Sequence, residues 1–451
     1  MEFKNKKAMK KNALYTKYVV ILLLVIIITA ALSYRFGPKK EIIVETPEKN
    51  INALSLYHWW TSPGESAAIS ALMDVFIEKN PDTVVLPTPI TGGGGFSMLE
   101  IIKPMIENGA PPDIFQIHAG YESKPYFDTG FLEPIDKIWK SGKLENVIPA
   151  VVQDMSKFEG HYYSIPMDIH RVNVVWYNKP LLDENKINPD DLTTWENFFE
   201  ACEKLRKAGL EYPIQAADIW TVSHIFEQII ASMGIDFYED WINGKITSAQ
   251  NEKLMEALTI LKQYLEYTSP DHDDLSWDQA AERILKGEGA FYIMGDWVNG
   301  DYASKGAELG VEYGTLPVPG TQKIFGLCVD TFEHPKDMLH HENADKFLII
   351  ASSKEGQDAF NSLKGSISAR TDADIDKYNE YQKSAMTDFW TAKYIFPSVV
   401  HGSGAPTTFK LKLNDIMSEF TKNRDVEKTA EELGKFTEEI KEEFTIPWSL
   451  K

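Results

Sequence analysis

The chain has 451 residues, enough for two or three domain-sized units or for one two-lobed body. Hydrophobic residues make up 43 % and aromatic residues 12 %, which supplies a large core and argues against a disordered chain. The formal net charge of −21 argues against nucleic acid and anionic membrane surfaces as partners.

The first 33 residues depart from this balance. They carry six lysines and one glutamate, a net +5, so the remainder carries −26. "YVVILLLVIIITAAL" (18–32) is an unbroken apolar run behind those lysines. It reads as a cleavable signal peptide or as an uncleaved signal anchor, which would give the protein its one membrane contact. The run is short against the roughly 20 residues of a spanning helix, and Ala31-Leu32-Ser33 offers a small-x-small cleavage site. No cysteine follows the run, which closes the lipoprotein route. Residues 34–52 read as a polar tether. The rest of the chain is then extracytoplasmic, in a periplasm or at a cell surface. Export permits a disulfide, but Cys202 falls on the apolar face of a predicted helix, so Cys202 and Cys328 read as free and buried. Neither has metal-ligand spacing.

Residues 53–60 read as a strand, and Ile69, Leu72, Met73 and Phe76 mark a helix after it. "TVVLPTPIT" (83–91) is a second strand whose prolines suit an edge. A helix over 96–109 stops at Gly109, and 112–120 is a third strand. This order predicts a mostly parallel sheet covered by helices, with ligand loops at 59–65, 91–95 and 116–120. "DIHRVNVVWYNK" (168–179) is another strand. Helices are predicted over 194–208, 220–233, 250–267 and 276–286, the last opened by a capping box of Ser276 and Gln279. A short strand and an exposed Asp-Trp turn follow within 287–297. Segments 311–320 and 323–334 return to strand, and helices including 426–444 close the chain. The expected domains are 53–167 plus 312–350 for one α/β lobe, and 168–311 plus 351–451 for a second, more helical one. The expected hinge lies near 166–170 and 311–320.

"ITGGGGFS" (90–97) lacks the Gly-Lys-Ser/Thr of a phosphate loop and follows the second strand, so nucleotide binding is disfavoured. Its glycines suit a tight turn, or close backbone approach to a neutral polar ligand. No Gly-x-Ser-x-Gly elbow and no His-Glu-x-x-His occurs. Glu65 and Asp296 are the pair that a glycosidase reading would use. The predicted loop ends collect Trp59, Trp60, Glu65, Thr91, Gln116 and His118 from the first lobe. They add Trp220, Trp277, Asp296, Trp297, Lys364 and His401 from further on. Flat aromatic faces among planar hydrogen-bonding groups suit a sugar, whose C–H faces lie on rings while its hydroxyls need donors and acceptors. Trp220 stands evenly between core and site, and His118 and His401 read equally as buried, satisfied residues. Trp277 leans toward the site because it follows a helix cap.

Eight ordered stretches then carry a resemblance: "WWTSPGES", "TGGGGF", "PPDIFQIHAG", "PMDIHRVNVVWYNK", "TTWENFFEAC", "LSWDQAAERILKGEGAFYIMGDW", "SSKEGQDAFNSLKGSISAR" and "VVHGSGAP". Over roughly residues 54–445 the chain resembles the extracellular solute-binding proteins of ABC-type sugar importers, most closely the glucose/galactose-binding branch. The resemblance implies an α/β, two-lobed, maltose-binding-protein-like fold with several inter-lobe crossovers, closing on a ligand by a hinge. It implies binding without catalysis, no cofactor, no metal, a monosaccharide ligand and an ABC permease as partner. The implied sugar contacts are Trp59, Trp60, Glu65, Thr91, Gln116, His118, Trp277, Asp296, Lys364 and His401, to which Trp220 is added from its position. Trp60 and Trp277 are the expected stacking platforms; Glu65, Asp296, Lys364 and His401 are the expected hydroxyl partners. "WWTSPGE" is one residue longer before Glu65 than the family pattern. The rival readings are a carbohydrate-active hydrolase and a sugar-sensing ectodomain.

Overall fold

Alternation in "ALSLYH" buries Leu54 and Leu56 and sets Ala53–His58 as an interior strand of the first sheet. Proline at the first helical position and Glu65 in the first turn then start the helix Pro63–Lys79, which buries Ile69, Leu72 and Phe76. The computed structural model describes residues 52–92, 95–246 and 251–450. The expected signal segment and the tether up to residue 51 lie outside them. Among the described residues, no helix is long and apolar enough to cross a membrane.

The first sheet runs, in spatial order, Val84–Pro89, Ala53–His58, Ile114–His118, Asp330–Glu333 and Ser164–Pro166. Its first three strands are parallel, and the proline-bearing strand takes the edge as expected. The other two strands pair antiparallel, so the sheet is mixed rather than mostly parallel. A second sheet runs Tyr313–Pro317, Val174–Asn178, Phe291–Ile293 and Ile214–Gln215. A third runs Ile367–Ser368, Asp168–Arg171, Ile324–Cys328 and Tyr394–Pro397. Helices cover these sheets, and both cysteines are free and buried, as expected.

Two predicted strands turn out to be broken. The segment 168–179 divides into Asp168–Arg171 and Val174–Asn178, which lie in different sheets. Buried Asn173 makes the break: its Oδ1 accepts the Gly326 N–H at 3.0 Å, and its Nδ2 donates to the Ile324 carbonyl at 2.9 Å. A side chain there does what a ladder partner would do. Likewise 323–334 divides at Val329 into Ile324–Cys328 and Asp330–Glu333. The chain thus leaves the first sheet at Met167 and returns to it at Val329. The two passages lie side by side: Thr331 pairs with Pro166, Cys328 pairs with His170, and the Met167 N–H donates to the Asp330 carbonyl at 2.8 Å.

The pairing also corrects the expected domain division. Tyr313–Pro317 pairs with Val174–Asn178, so this stretch belongs with the second sheet and not the first. The helix Lys354–Lys364 packs on Pro63–Lys79, beside the first sheet. The expected crossing at 311–320 is therefore replaced by the one at 328–330.

The helix Trp297–Ser304 packs against both Pro63–Lys79 and Lys354–Lys364. Gly300 makes this approach possible. A Cβ at that position would lie 2.3 Å from the Lys364 carbonyl oxygen and 2.6 Å from that of Leu363. Both obstacles are backbone, which cannot swing aside. Gly300→Ala is expected to cost about 1–3 kcal/mol by forcing the helices apart. Urea unfolding checks this; an unchanged midpoint would show that the contact is softer than it looks.

Candidate functional site

The two passages between sheets carry the floor of a cleft. His170 and Cys328 stand opposite each other there, and Asp330 follows where the chain re-enters the first sheet. Around them gather Trp59, Thr61, Glu65 and His118 from strand ends of the first sheet and the helix start that follows one of them, and Trp220, Trp277, Trp297, Lys364 and His401 from helices and the 398–406 loop. The space so enclosed, counting its open mouth, is about 450 Å³.

The paired tryptophans separate as strand geometry requires. The Trp59 ring turns to the cleft and lies 4.7 Å from the His118 ring. Its backbone N–H donates to Gln116 Oε1 at 2.9 Å. Gly95, in the left-handed region at φ 74°, makes room for the ring: a Cβ there would sit 3.1 Å from the Trp59 indole. Trp60 points the other way. It is fully buried beside Phe332 and Phe360 and does not line the cleft, contrary to its expected stacking role. Its indole N–H donates to Asp330 Oδ2 at 3.1 Å, so it braces a cleft carboxylate from beneath.

Glu65 serves two ends. Its Oε2 accepts the N–H groups of Thr61 and Ser62, each at 3.3 Å, as the capping residue of its helix. Its Oε1 accepts from Lys364 Nζ at 3.1 Å, in a pair that is almost wholly buried. Lys364 ends the helix Lys354–Lys364, where the C-terminal carbonyls also favour a cation. Burial alone would lower its pKa, but Glu65, Asp330 and Asp168 outweigh this and raise it. Its ammonium lies 5.9 Å from the centre of the Trp297 ring.

His170 links the charged groups. Its Nδ1 bonds to Asp296, and its Nε2 lies 3.2 Å from Asp168 Oδ2 and 3.7 Å from Asp330 Oδ2. Burial opposes the charged imidazole, yet Asp168 and Asp296 raise its pKa well above the ordinary value. Asp330 shows the reverse balance: burial is outweighed by His170, His118 and Lys364, and its carboxyl is held below the usual range. His118 is set from behind by Glu122, whose carboxylate accepts its Nδ1–H and its backbone N–H. Lys410 Nζ donates to the same carboxylate at 2.6 Å. Against the cost of burial, Lys410 and His118 hold Glu122 at about 2. On the far wall, His224 Nδ1 and His401 Nε2 lie 3.2 Å apart. Burial pushes His224 down to about 3 and, with the neighbouring cations, His401 well below its ordinary value.

Of the predicted residues, Trp59, Glu65, His118, Trp220, Trp277, Trp297, Lys364 and His401 meet in the cleft. Trp277 does so from the first turn of a helix whose Ser276–Gln279 capping box is formed as predicted. Thr91 is exposed and does not line the cleft. Gln116 is fully buried behind Trp59. Asp296, expected to meet a ligand in an exposed turn, is instead buried behind His170, where its Oδ2 accepts the Arg171 N–H at 3.0 Å. Sequence reasoning missed Thr61, His170, Cys328 and Asp330 as lining residues, and Glu122 as their support. The Asp-x-His of 168–170 was a visible signal. Cys328 and Asp330 become adjacent to it only through the strand pairing.

Residues 60–359 match the family described as bacterial extracellular solute-binding protein. The chain belongs to this family. A protein of Pyrococcus horikoshii described as an uncharacterized ABC transporter extracellular-binding protein is 37 % identical over 423 residues, covering 92 % of this chain and 95 % of the relative. A protein of Rhizobium meliloti described as a probable sugar-binding periplasmic protein is 26 % identical, covering 84 % and 91 %. The solved structure of the bacterial solute receptor AcbH, described as preferring β-D-galactopyranose, superposes with a TM-score of 0.73 at 18 % identity, covering 85 % and 98 %. The two-lobed, maltose-binding-protein-like fold is thereby established. These relatives are solute-binding proteins and not enzymes, so the hydrolase reading falls away. The protein is thus a solute-binding protein of an extracellular class.

Proposed function

We propose that this binding protein captures a neutral monosaccharide, glucose or galactose, in the cleft described above and delivers it to its permease. The supporting observation is the cleft's composition. Four indoles surround a floor of buried, mutually compensated ions, and the Trp220 N–H is buried with no hydrogen-bond partner among the described residues. Indole faces cover the C–H faces of a pyranose, while Glu65, Asp330, Lys364 and the histidines offer charge-assisted bonds to its hydroxyls. A net-charged ligand would unbalance ions that already neutralise one another. Closure follows if the closed form binds the sugar more tightly than the open form. The N-terminal segment serves export, and where it is retained it holds the protein at the membrane.

Calorimetry with a panel of hexoses, pentoses, disaccharides and longer oligosaccharides tests the reading. Stoichiometric binding of glucose or galactose is expected, with no turnover of chromogenic glycosides. Tight binding of oligosaccharides alone would overturn the monosaccharide assignment, and no sugar binding would overturn the whole proposal. Trp220→Phe keeps an aromatic ring but deletes the orphan donor together with the five-membered ring that carries it. It is expected to weaken the best ligand about three- to tenfold, the scale of one neutral hydrogen bond. An unchanged affinity would place that N–H outside the ligand's reach.

A further inference from the structure

A second cluster of ionisable side chains lies outside the cleft. His334 directly follows the strand Asp330–Glu333. The segment carrying it is clamped to 131–133: the Glu133 N–H donates to the His334 carbonyl at 3.2 Å, and the Lys336 N–H donates to the Phe131 carbonyl at 2.7 Å. His341 and Asp345 stand four residues apart on the helix His341–Ala351, which places them on one face. None of these side chains lines the cleft.

The geometry is reciprocal. His334 directs Nδ1 toward Glu133 Oε2 at 4.0 Å and Nε2 toward Asp345 at 3.5 Å. His341 directs Nε2 toward the same Glu133 oxygen at 2.9 Å and Nδ1 toward Asp345 at 3.8 Å. Both imidazoles therefore have one nitrogen on the Glu133 side and the other on the Asp345 side. His334 is 1 % exposed, and among the described residues neither of its nitrogens has a hydrogen-bond partner. An imidazole buried in that way lacks what buried polar groups normally have. Glu133, His334 and His341 each offer a ligand atom, all within 4.8 Å of one another.

We propose that Glu133, His334 and His341 form a binding site for a divalent transition-metal ion of the zinc class, with Asp345 orienting both imidazoles from behind. Two imidazole nitrogens and one carboxylate oxygen suit zinc, cobalt or nickel, whereas calcium and magnesium take oxygen ligands. Metal–ligand bonds of about 2.0–2.2 Å require the three atoms to draw in slightly. His341 and Glu133, both partly exposed, are free to do this while His334 stays fixed. Asp345 lies 3.5 and 3.8 Å from the two far nitrogens, and on closing to hydrogen-bond distance it would set the tautomer that ligates. The ion would pin the start of the helix His341–Ala351 to the end of the strand Asp330–Glu333.

The test uses the full-length, untagged chain after chelator treatment. Zinc is titrated calorimetrically, and cobalt is followed by its visible absorption. One saturable site is expected, giving the absorption of a four- or five-coordinate cobalt ion. Glu133→Gln and His341→Ala, both at partly exposed positions, are expected to weaken it at least tenfold, and Asp345→Asn about tenfold. Urea midpoints in the metal-free state confirm that each variant is folded. Absence of saturable binding overturns the proposal. So does wild-type affinity in both Glu133→Gln and His341→Ala, which would move the ion to the cleft histidines.

Discussion

Lys364→Met is expected to destabilise the protein by about 3–5 kcal/mol, the cost of removing one partner from a buried ion pair. Methionine matches the length of the lysine stem, so the loss is electrostatic rather than a cavity. The side chain is 2 % exposed, and its ammonium compensates Glu65 directly and Asp330 and Asp168 at longer range. Without it, three buried carboxylates are left to His170 and His118. Urea unfolding at neutral pH measures the effect, and a loss below about 1 kcal/mol would show that water reaches the pair. Sugar affinity should fall by at least tenfold in the same variant, because one charge-assisted donor leaves the cleft. Adding Glu65→Gln should recover part of the stability, since the double variant no longer strands the charge nearest to Lys364.

The second large effect concerns pH. His224 titrates in the unfolded chain near 6.5 but is held at about 3 in the folded protein by burial. Its folded-state pKa is depressed, so the stability tied to its neutral form is fully present above pH 6.5. That stability is lost as pH falls toward 3, because the unfolded chain takes up a proton that the folded one refuses. The slope is about 1.4 kcal/mol per pH unit. His224→Asn keeps a polar atom near His401 but cannot titrate. The stability gap between wild type and His224→Asn should therefore shrink by about 1.4 kcal/mol per unit between pH 6 and pH 4. A gap independent of pH would show that His224 is protonated when folded. Comparing the two proteins cancels other titrating groups, which matters here. Burial pushes Asp218 and Glu227 up to about 7, and their contribution runs in the opposite direction over the same range.

Local chemistry was legible in the sequence where a single element decided it. Apolar spacing located the helices Trp195–Lys207, Ile219–Ser232, Asn251–Glu266 and Trp277–Leu285 to within a residue or two. The Ser276–Gln279 capping box was readable because its partners are three residues apart. The breaks at Asn173 and Val329 were not. A strand that changes sheets keeps its apolar run, and only the partner strands reveal the change. The same limit explains the site. Trp59 and Lys364 sit at element ends, where position alone suggested a role. Asp296 also sits at an element end and Gln116 at the centre of the strand Ile114–His118, and His170 and Trp59 stand between them and the cleft. Trp60 was misread because alternation says that two neighbours diverge, not which of them faces the core. Phe332 and Phe360, distant in sequence, decide that.

Four of the eleven tryptophans converge on one cleft. Imidazoles lie against three of them: His118 at 4.7 Å from Trp59, and His401 at 5.0 Å from Trp297 and 5.8 Å from Trp220. Indole emission is sensitive to the polarity of its surroundings and to nearby proton donors, and a ligand entering here changes both at several rings together. Occupancy of the cleft is thus written into the protein's own ultraviolet fluorescence. If the sugar enters where we propose, the molecule carries an intrinsic optical reporter at its binding site, with no dye to attach and no residue to replace.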